Sequence, residues 1–259
     1  MEQHNPSIRD EALALLRSGT TNRAVAEHLN VPRGTVGWWL REDRKRRGVQ
    51  YEQPTDCPVC TGRQVDRAAY AYLLGLYLGD GHITSKTKQH HLSIFCDASW
   101  PGVIDEAEAA MRTVMPMPRT GRRQRDNCVE VKSYSKHWTC AFPQHGPGKK
   151  HERPIVLEAW QQEIVDAHPW HFLRGLIHSD GCRNMNWTTR IVKGERKRYE
   201  YPRYWFTNVS DDIRRLYTDT LDALGITWTH CTRAGKPYNI SVARRASVAL
   251  MDAHVGPKY

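Results

Sequence analysis

No stretch of this sequence approaches the ~18 uncharged apolar residues of a membrane-spanning helix, so no membrane partner is expected. Its opening, MEQHNPSIRDEALALL, carries acids where a secretory leader has an apolar run, so no cleavable leader is expected. The expected setting is cytoplasmic, in association with the nucleoid. Cysteine does not come in pairs. Seven residues at irregular spacings suit free thiols in a reducing compartment better than a secreted disulfide framework. Acid is scarce too: 28 Asp and Glu stand against 38 Lys and Arg, a formal charge of +10 that points to a polyanionic partner.

What is present starts with short helices. Residues 7–42 read as three of them, broken by SGTT and by NVP, the order and spacing of a helix-turn-helix. The run RGTVGWWLRED resembles the third helix in the DNA-binding heads of transposases, resolvases and phage regulators. That resemblance implies that Val36, Trp39 and Leu40 face inward and that Arg33, Thr35, Trp38 and Arg41 face a major groove. A protein-binding trihelical module would read the same way. The expected domain covers residues 1–48, followed over 49–66 by a charged linker without periodicity. Within that linker Cys57 and Cys60 have the spacing of half a zinc site, but no second Cys-x-x-Cys follows. Two free thiols in a turn are the default expectation, with structural Zn2+ as the alternative.

From residue 67 the chain reads as though written twice, over 67–160 and 161–259. LLGLYLGDG and LRGLIHSDG open the two copies. Each is followed by alternating apolar stretches such as Leu92, Ile94 and Cys96, by a helical stretch, by a second strand-like pair and by a closing helix. Both copies close on a His before a Gly-Pro and a Lys. The expected class is a duplicated α+β unit. Gly75 and Gly79 share a helix face, as do Gly175 and Ser179, and such small faces let two backbones approach closely. The two helices are therefore expected to pack on each other. Each ends in Asp-Gly, with the glycine expected in the left-handed conformation just past the helix. A carboxylate there faces the negative end of the macrodipole, at a cost of a few tenths to ~1 kcal/mol. Asp80 and Asp180 together become sensible around a divalent cation, with free helix-end carbonyls as further ligands.

These two stretches resemble the signature helices of the LAGLIDADG homing endonucleases, and the resemblance extends over residues 67–259. It implies an α+β fold: a pseudo-symmetric duplicated αββαββα core with saddle-shaped antiparallel sheets, here preceded by the small all-α helix-turn-helix domain. It also implies a monomer with internal pseudo-two-fold symmetry that hydrolyses both strands of double-stranded DNA with Mg2+, Mn2+ being able to substitute. Asp80 and Asp180 match the metal-binding acids, and the carbonyls of Gly79 and Ser179 match positions that can ligate the ion. Asp97 and Asn208 fall where a polar residue, usually Gln, orders water. Lys136 and Arg244 match the basic residues that stabilise the transition state, with Arg245 an alternative register for the second.

The hairpin after Asp180 is long and basic, and a two-stranded ribbon fits the major groove. Arg190, Lys193, Arg196, Lys197 and Arg203 are candidate DNA contacts there, as are Lys86, Lys88, Arg122, Arg123 and Arg125 in the first copy. Two other readings share these features. One is a non-catalytic transcriptional regulator on the same scaffold, a class that tends to have lost the acids that this chain retains. The other is an RNA-binding, maturase-like protein.

Overall fold

A computed structural model describes residues 6–49, 55–86 and 89–259; Lys88 lies outside the described residues. The chain divides into two units, Met1–Pro54 and Thr55–Tyr259. The first is built from helices α1 (Pro6–Arg17), α2 (Asn22–His28) and α3 (Arg33–Arg46). Thr21 caps α2 by accepting a hydrogen bond from the Ala24 amide, as a residue preceding a helix can. Ala12, Leu13, Val25, Val31, Val36 and Trp39 form this unit's own core. Leu40, expected inward, is only half-buried and lies outside that cluster, because the α3 stripe is confined to Val36, Trp39 and the buried Asp43.

The second unit begins earlier than the expected linker boundary. Cys57 is fully buried, Asp56 accepts the Met117 amide, and Arg63 donates to the Val114 carbonyl. Residues 55–66, including the one-turn α4 (Pro58–Thr61), are therefore fastened to the core.

Two copies of one plan follow. The first runs α5 (Arg67–Asp80), β1 (Gly81–Lys86), β2 (Gln89–Asp97), α6 (Pro101–Val114), β3 (Thr120–Arg125), β4 (Cys128–Ser133) and α7 (Trp138–Ala141). After a connecting helix, α8 (Ala159–Ala167), the second runs α9 (Pro169–Asp180), β5 (Gly181–Val192), β6 (Glu195–Thr207), α10 (Asp211–Ala223), β7 (Thr229–Arg233), β8 (Lys236–Val242) and α11 (Arg245–His254). The sheets have the orders β1-β2-β4-β3 and β5-β6-β8-β7, antiparallel throughout. The duplicated αββαββα arrangement is thus present, with equivalent strand order in both halves. One departure from symmetry is α7, a single turn where α11 has ten residues. Pro143 and the Gly146-Pro147-Gly148 run, one glycine of which has φ of 76°, cannot continue a helix.

Helix α5 is apolar all round, with Tyr70 to Leu78 buried, which marks it as a core helix rather than a surface one. Asp66 caps its N-terminus through the Ala69 amide. Its partner is α9, and the contact is made backbone to backbone. A Cβ on Gly75 would sit 2.5 Å from the Phe172 carbonyl oxygen and 2.7 Å from the Leu176 nitrogen. One on Gly175 would overlap the Tyr72 carbonyl and lie 2.9 Å from the Gly75 Cα.

Gly81 and Gly181 are not left-handed as expected. Both are extended, with φ of −85° and −112°, because each helix runs into its first strand with no intervening loop. Their small size is needed for a different reason: a Cβ on Gly81 would meet the Tyr77 carbonyl at 2.7 Å, and one on Gly181 the Trp205 carbonyl at 2.9 Å.

Replacing Gly75 by Ala is expected to destabilise the second unit by about 2 kcal/mol, because forced backbone separation outweighs the ~1 kcal/mol that alanine brings to a helix interior. Gly37→Ala in α3, whose new Cβ meets only the Asn22 side chain at 3.6 Å, should instead be neutral or stabilising. Urea denaturation of both variants checks the pair of signs; equal behaviour would refute the tight helix contact.

Candidate functional site

The close approach of α5 and α9 carries their C-terminal carboxylates to one place. A Cβ on Gly79 would overlap the Ser179 side chain and lie 3.1 Å from Asp180 Oδ2. The Ser179 hydroxyl lies in the helix contact, within 3.0 Å of the carbonyls of Gly175 and Leu176 on its own helix and 3.5 Å of the Gly75 carbonyl on α5. Burial, with the nearby charge of Asp180 second, pushes the Asp80 carboxyl up to about 6, against the pull of Lys258 and Lys150. Burial also raises Asp180, opposed first by a 2.5 Å hydrogen bond from Asn208 Nδ2. Both acids are therefore held in a place that disfavours their charge.

The cations that answer them are not the expected ones. Lys150 Nζ donates to the carbonyls of Tyr77, Leu78 and Gly79 at 2.5, 3.0 and 2.7 Å, and Lys258 Nζ donates to the Ser179 carbonyl at 2.7 Å. An ammonium at a helix C-terminus satisfies unpaired carbonyls and faces the favourable end of the dipole. Burial pushes Lys150 down to about 8 even against the attraction of Asp180 and Asp80. Lys136 and Arg244 contact neither aspartate among the described residues. Lys136 is exposed in the turn before α7, and Arg244 is exposed at the start of α11. The signal for these two lysines was visible: both copies close on His, Gly-Pro and Lys, and it is those closing lysines that reach back to the helix ends. The same contacts bear on the expected metal ligands. The carbonyls of Gly79 and Ser179 already accept an ammonium, so a second cation there would meet like charge.

Asp97 and Asn208 occupy equivalent turns. Each side-chain oxygen accepts an amide two residues on, from Ser99 and Ser210, both at 2.8 Å. Only Asn208 also donates to its aspartate; a carboxylate at position 97 cannot do so for Asp80. The hydrogen bond from Ser99 holds Asp97 below the usual carboxylate range.

Strand parity sorts the basic residues. In the first sheet the core face carries Leu92, Ile94, Cys96, Val129 and Val131. Arg122 pairs with Val131 on that side and is held by Asp105 at 2.7 Å and Glu108 at 2.6 Å on α6. It is not placed as a DNA contact. Arg123 and Arg125, opposite Glu130 and Cys128, are on the open face, as is Lys86, opposite Gln89; Arg125 is engaged there by Glu130. In the second sheet Tyr204 and Phe206 face the core, so Arg203, Lys197 and Arg190 share the open face with Tyr199 and Tyr201. Arg196 lies on the opposite face with Ile191. Lys193 and Gly194, with φ of 52° and 81°, form the two-residue turn at the tip. Only Tyr204 to Thr207 of β6 pair with β8, so the rest of the β5–β6 ribbon projects as a two-stranded arm. In the first unit Arg33, Trp38 and Arg41 are exposed and Thr35 is half-buried, with the Arg9 guanidinium 5.8 Å from the Trp38 ring. Cys57 and Cys60 are joined by His137 and Cys140, two ligand-type residues that sequence reasoning did not place beside them.

No family model and no curated protein matches the sequence. Among its structural neighbours are LAGLIDADG proteins. The homing endonuclease I-DmoI, solved in complex with DNA and Mn, is 14% identical over 74% of this chain and 98% of its own, with a TM-score of 0.49. The N-terminal LAGLIDADG domain of DUF199/WhiA is 10% identical over 79% of this chain and 88% of its own, with a TM-score of 0.47. Full-length DUF199/WhiA from Thermatoga maritima is 12% identical over 74% of this chain and 56% of its own, with a TM-score of 0.46. The architecture stands on the strand order and helix contact above, not on these likenesses.

A carboxyl raised from 3.8 to about 6 binds its proton more tightly in the folded state, so its contribution to stability falls as pH rises between those values. Asp80→Asn is therefore expected to stabilise the metal-free protein by about 2–3 kcal/mol at pH 7, with the advantage gone by about pH 4. Thermal melts across that range test it; a lower melting temperature at pH 7 contradicts the assignment.

Proposed function

We propose that this chain is a metal-dependent endonuclease acting on double-stranded DNA. The observation that carries the reading is the pair of partly desolvated carboxylates, Asp80 and Asp180, brought together at the ends of two abutting helices. Two acids whose ionised forms are disfavoured fit a divalent cation, which would offset both burial and mutual repulsion. The carboxylates would hold Mg2+, with Mn2+ as a substitute. The Gly79 and Ser179 carbonyls fit the ion less well, being occupied by lysines. When bound, such an ion readies water and stabilises the attacking and leaving oxygens of phosphodiester hydrolysis.

The chain's own residues supply the rest. Asn208 fixes the orientation of Asp180. Lys150 and Lys258 place positive charge beside the position where phosphorane charge would develop. Because Asp97 cannot orient Asp80 as Asn208 orients Asp180, unequal rates on the two strands follow. The open face of the second sheet and its projecting ribbon offer Arg190, Lys193, Lys197 and Arg203 to phosphates and base edges, with aromatic rings between them. Arg203 lies 4.8 Å from the Trp205 ring and 5.3 Å from Tyr201, which holds it flat and ready for a groove. Arg33, Thr35, Trp38 and Arg41 of the first unit provide a second DNA contact. The protein acts as a monomer, its two halves standing in for two subunits, on DNA in the cytoplasm.

One observation favours a second reading, a DNA-binding regulator without catalysis. Two lysines already balance the two acids, so the site is neutral overall without a metal.

The purified protein with Mg2+ is expected to linearise a plasmid carrying the DNA that flanks its own gene, and EDTA should stop it. Asp80→Asn and Asp180→Asn should each reduce cutting to background while leaving binding within a few-fold. At subsaturating Mg2+ the rate should fall as pH drops below about 6, where the metal-free Asp80 takes up a proton that competes with the ion, and the fall should move to lower pH as Mg2+ is raised. Tight binding of one site with no cutting under any metal would establish the regulator reading instead. Removing residues 1–48 should weaken binding and flatten its salt dependence, since phosphate contacts are lost; unchanged binding would limit the first unit to another role.

A further inference from the structure

The chain has a second cluster of ligand-type side chains, distinct from the aspartates. The potential ligand atoms of Cys57, Cys60, His137 and Cys140 all lie within 4.8 Å of one another. Cys60 Sγ is 3.3 Å from His137 Nδ1 and 3.6 Å from Cys140 Sγ, and Cys140 Sγ is 3.8 Å from the same nitrogen. A tetrahedral zinc ion with ordinary bond lengths has sulfur–sulfur edges of about 3.8 Å and sulfur–nitrogen edges of about 3.6 Å. The three separations among Cys60, His137 and Cys140 lie within about 0.3 Å of such edges, and Cys57 is within 4.8 Å of all three.

We propose that Cys57, Cys60, His137 and Cys140 bind one zinc ion, as a structural site. The local folding of both contributing segments suits this. Each supplies two ligands three residues apart, Cys-x-x-Cys and His-x-x-Cys, the first preceding a one-turn helix, α4 or α7, and the second lying within it. Cys57 caps α4, its carbonyl accepting both the amide and the hydroxyl of Thr61, and His137 caps α7, its amide held by Ser135 Oγ. The short helices, too brief to be stable alone, are thereby fixed as hooks. Three thiolates with one imidazole select a borderline-soft ion over Mg2+, and four protein ligands leave no open position for substrate. With Zn2+ the centre carries a net negative charge, and Lys136 stands next to His137 with its charge acting on that ring.

The physical consequence is a cross-link. Cys60 and Cys140 are 80 positions apart, so the ion ties the segment entering the second unit to the end of the first half. That closure restricts the unfolded chain far more than the folded one. The site explains why the last helix of the first half can be a single turn.

The test uses the full chain purified without added metal. Elemental analysis should find about one zinc per chain, and Co2+ exchanged for it should give the intense thiolate-to-cobalt absorption of a tetrahedral thiolate site. Cys60→Ser and His137→Ala should each lose most of the zinc, whereas Cys182→Ser should keep it. Stripping the ion with a strong chelator should lower Tm by about 10 °C, restored by Zn2+ and not by Mg2+. If the variants fail to fold, the cobalt spectrum of the unaltered chain still decides. Less than a tenth of a zinc per chain with no cobalt charge-transfer band overturns the proposal. So does a Cys60–Cys140 disulfide in freshly prepared protein, detected as a loss of two from the seven titratable thiols.

Discussion

The contact of Gly75 and Gly175 across two buried helices is the constraint from which the rest of the core follows. Neither helix could otherwise reach the separation at which a Cβ would strike the opposite backbone. At that separation the helix ends, and hence Asp80 and Asp180, must be neighbours. The sheets then extend directly from the same helix ends, because Gly81 and Gly181 begin β1 and β5 without a loop. Packing, site and surface are thus set by one close approach, and the hydrophobic core spreads over both halves without a break.

That approach has an electrostatic cost, and the molecule offsets it only in part. Burial outweighs the lysines at both acids, and burial also outweighs the acids at Lys150. A fold selected for stability alone would place an amide at position 80. The carboxylate there is a local inconsistency with stability, which the metal site proposed above would account for. The lysines use the same approach differently: by capping carbonyls they satisfy helix ends that are otherwise buried, and their charge comes as a consequence of that geometry.

The two halves share strand order but have diverged in what they carry. The first ends on a one-turn helix beside the cysteine and histidine cluster; the second ends on a full helix. The ribbon that extends beyond the sheet is longer in the second, Glu195–Arg203 of β6 against Gln89–His91 of β2. At the pseudo-symmetric turns an Asp stands against an Asn, so only one aspartate is oriented by its neighbour. Duplication supplied a symmetric frame, and single residues removed the equivalence of its two sides.

Much of the core was legible in the sequence, because it rests on local rules. Small residues four apart define a helix face, alternation at Leu92, Ile94 and Cys96 defines a strand face, and the repeated order of elements defines the duplication. These together named the aspartates as a pair. What was not legible depends on chain that doubles back. Lys150 and Lys258 reach the helix ends from loops far along the sequence, and Lys136, better placed by motif, does not. Arg122 differs from Arg123 in purpose only because strand parity turns one towards α6. Cys57 and Cys60 acquire His137 and Cys140 only through a packing that no spacing rule contains. The sequence by itself determined which elements form and which faces they bury, since those depend on residues within a few positions of each other. The tertiary structure alone decided which charges and ligands meet, because their interactions fall off over a few ångströms and join residues tens of positions apart.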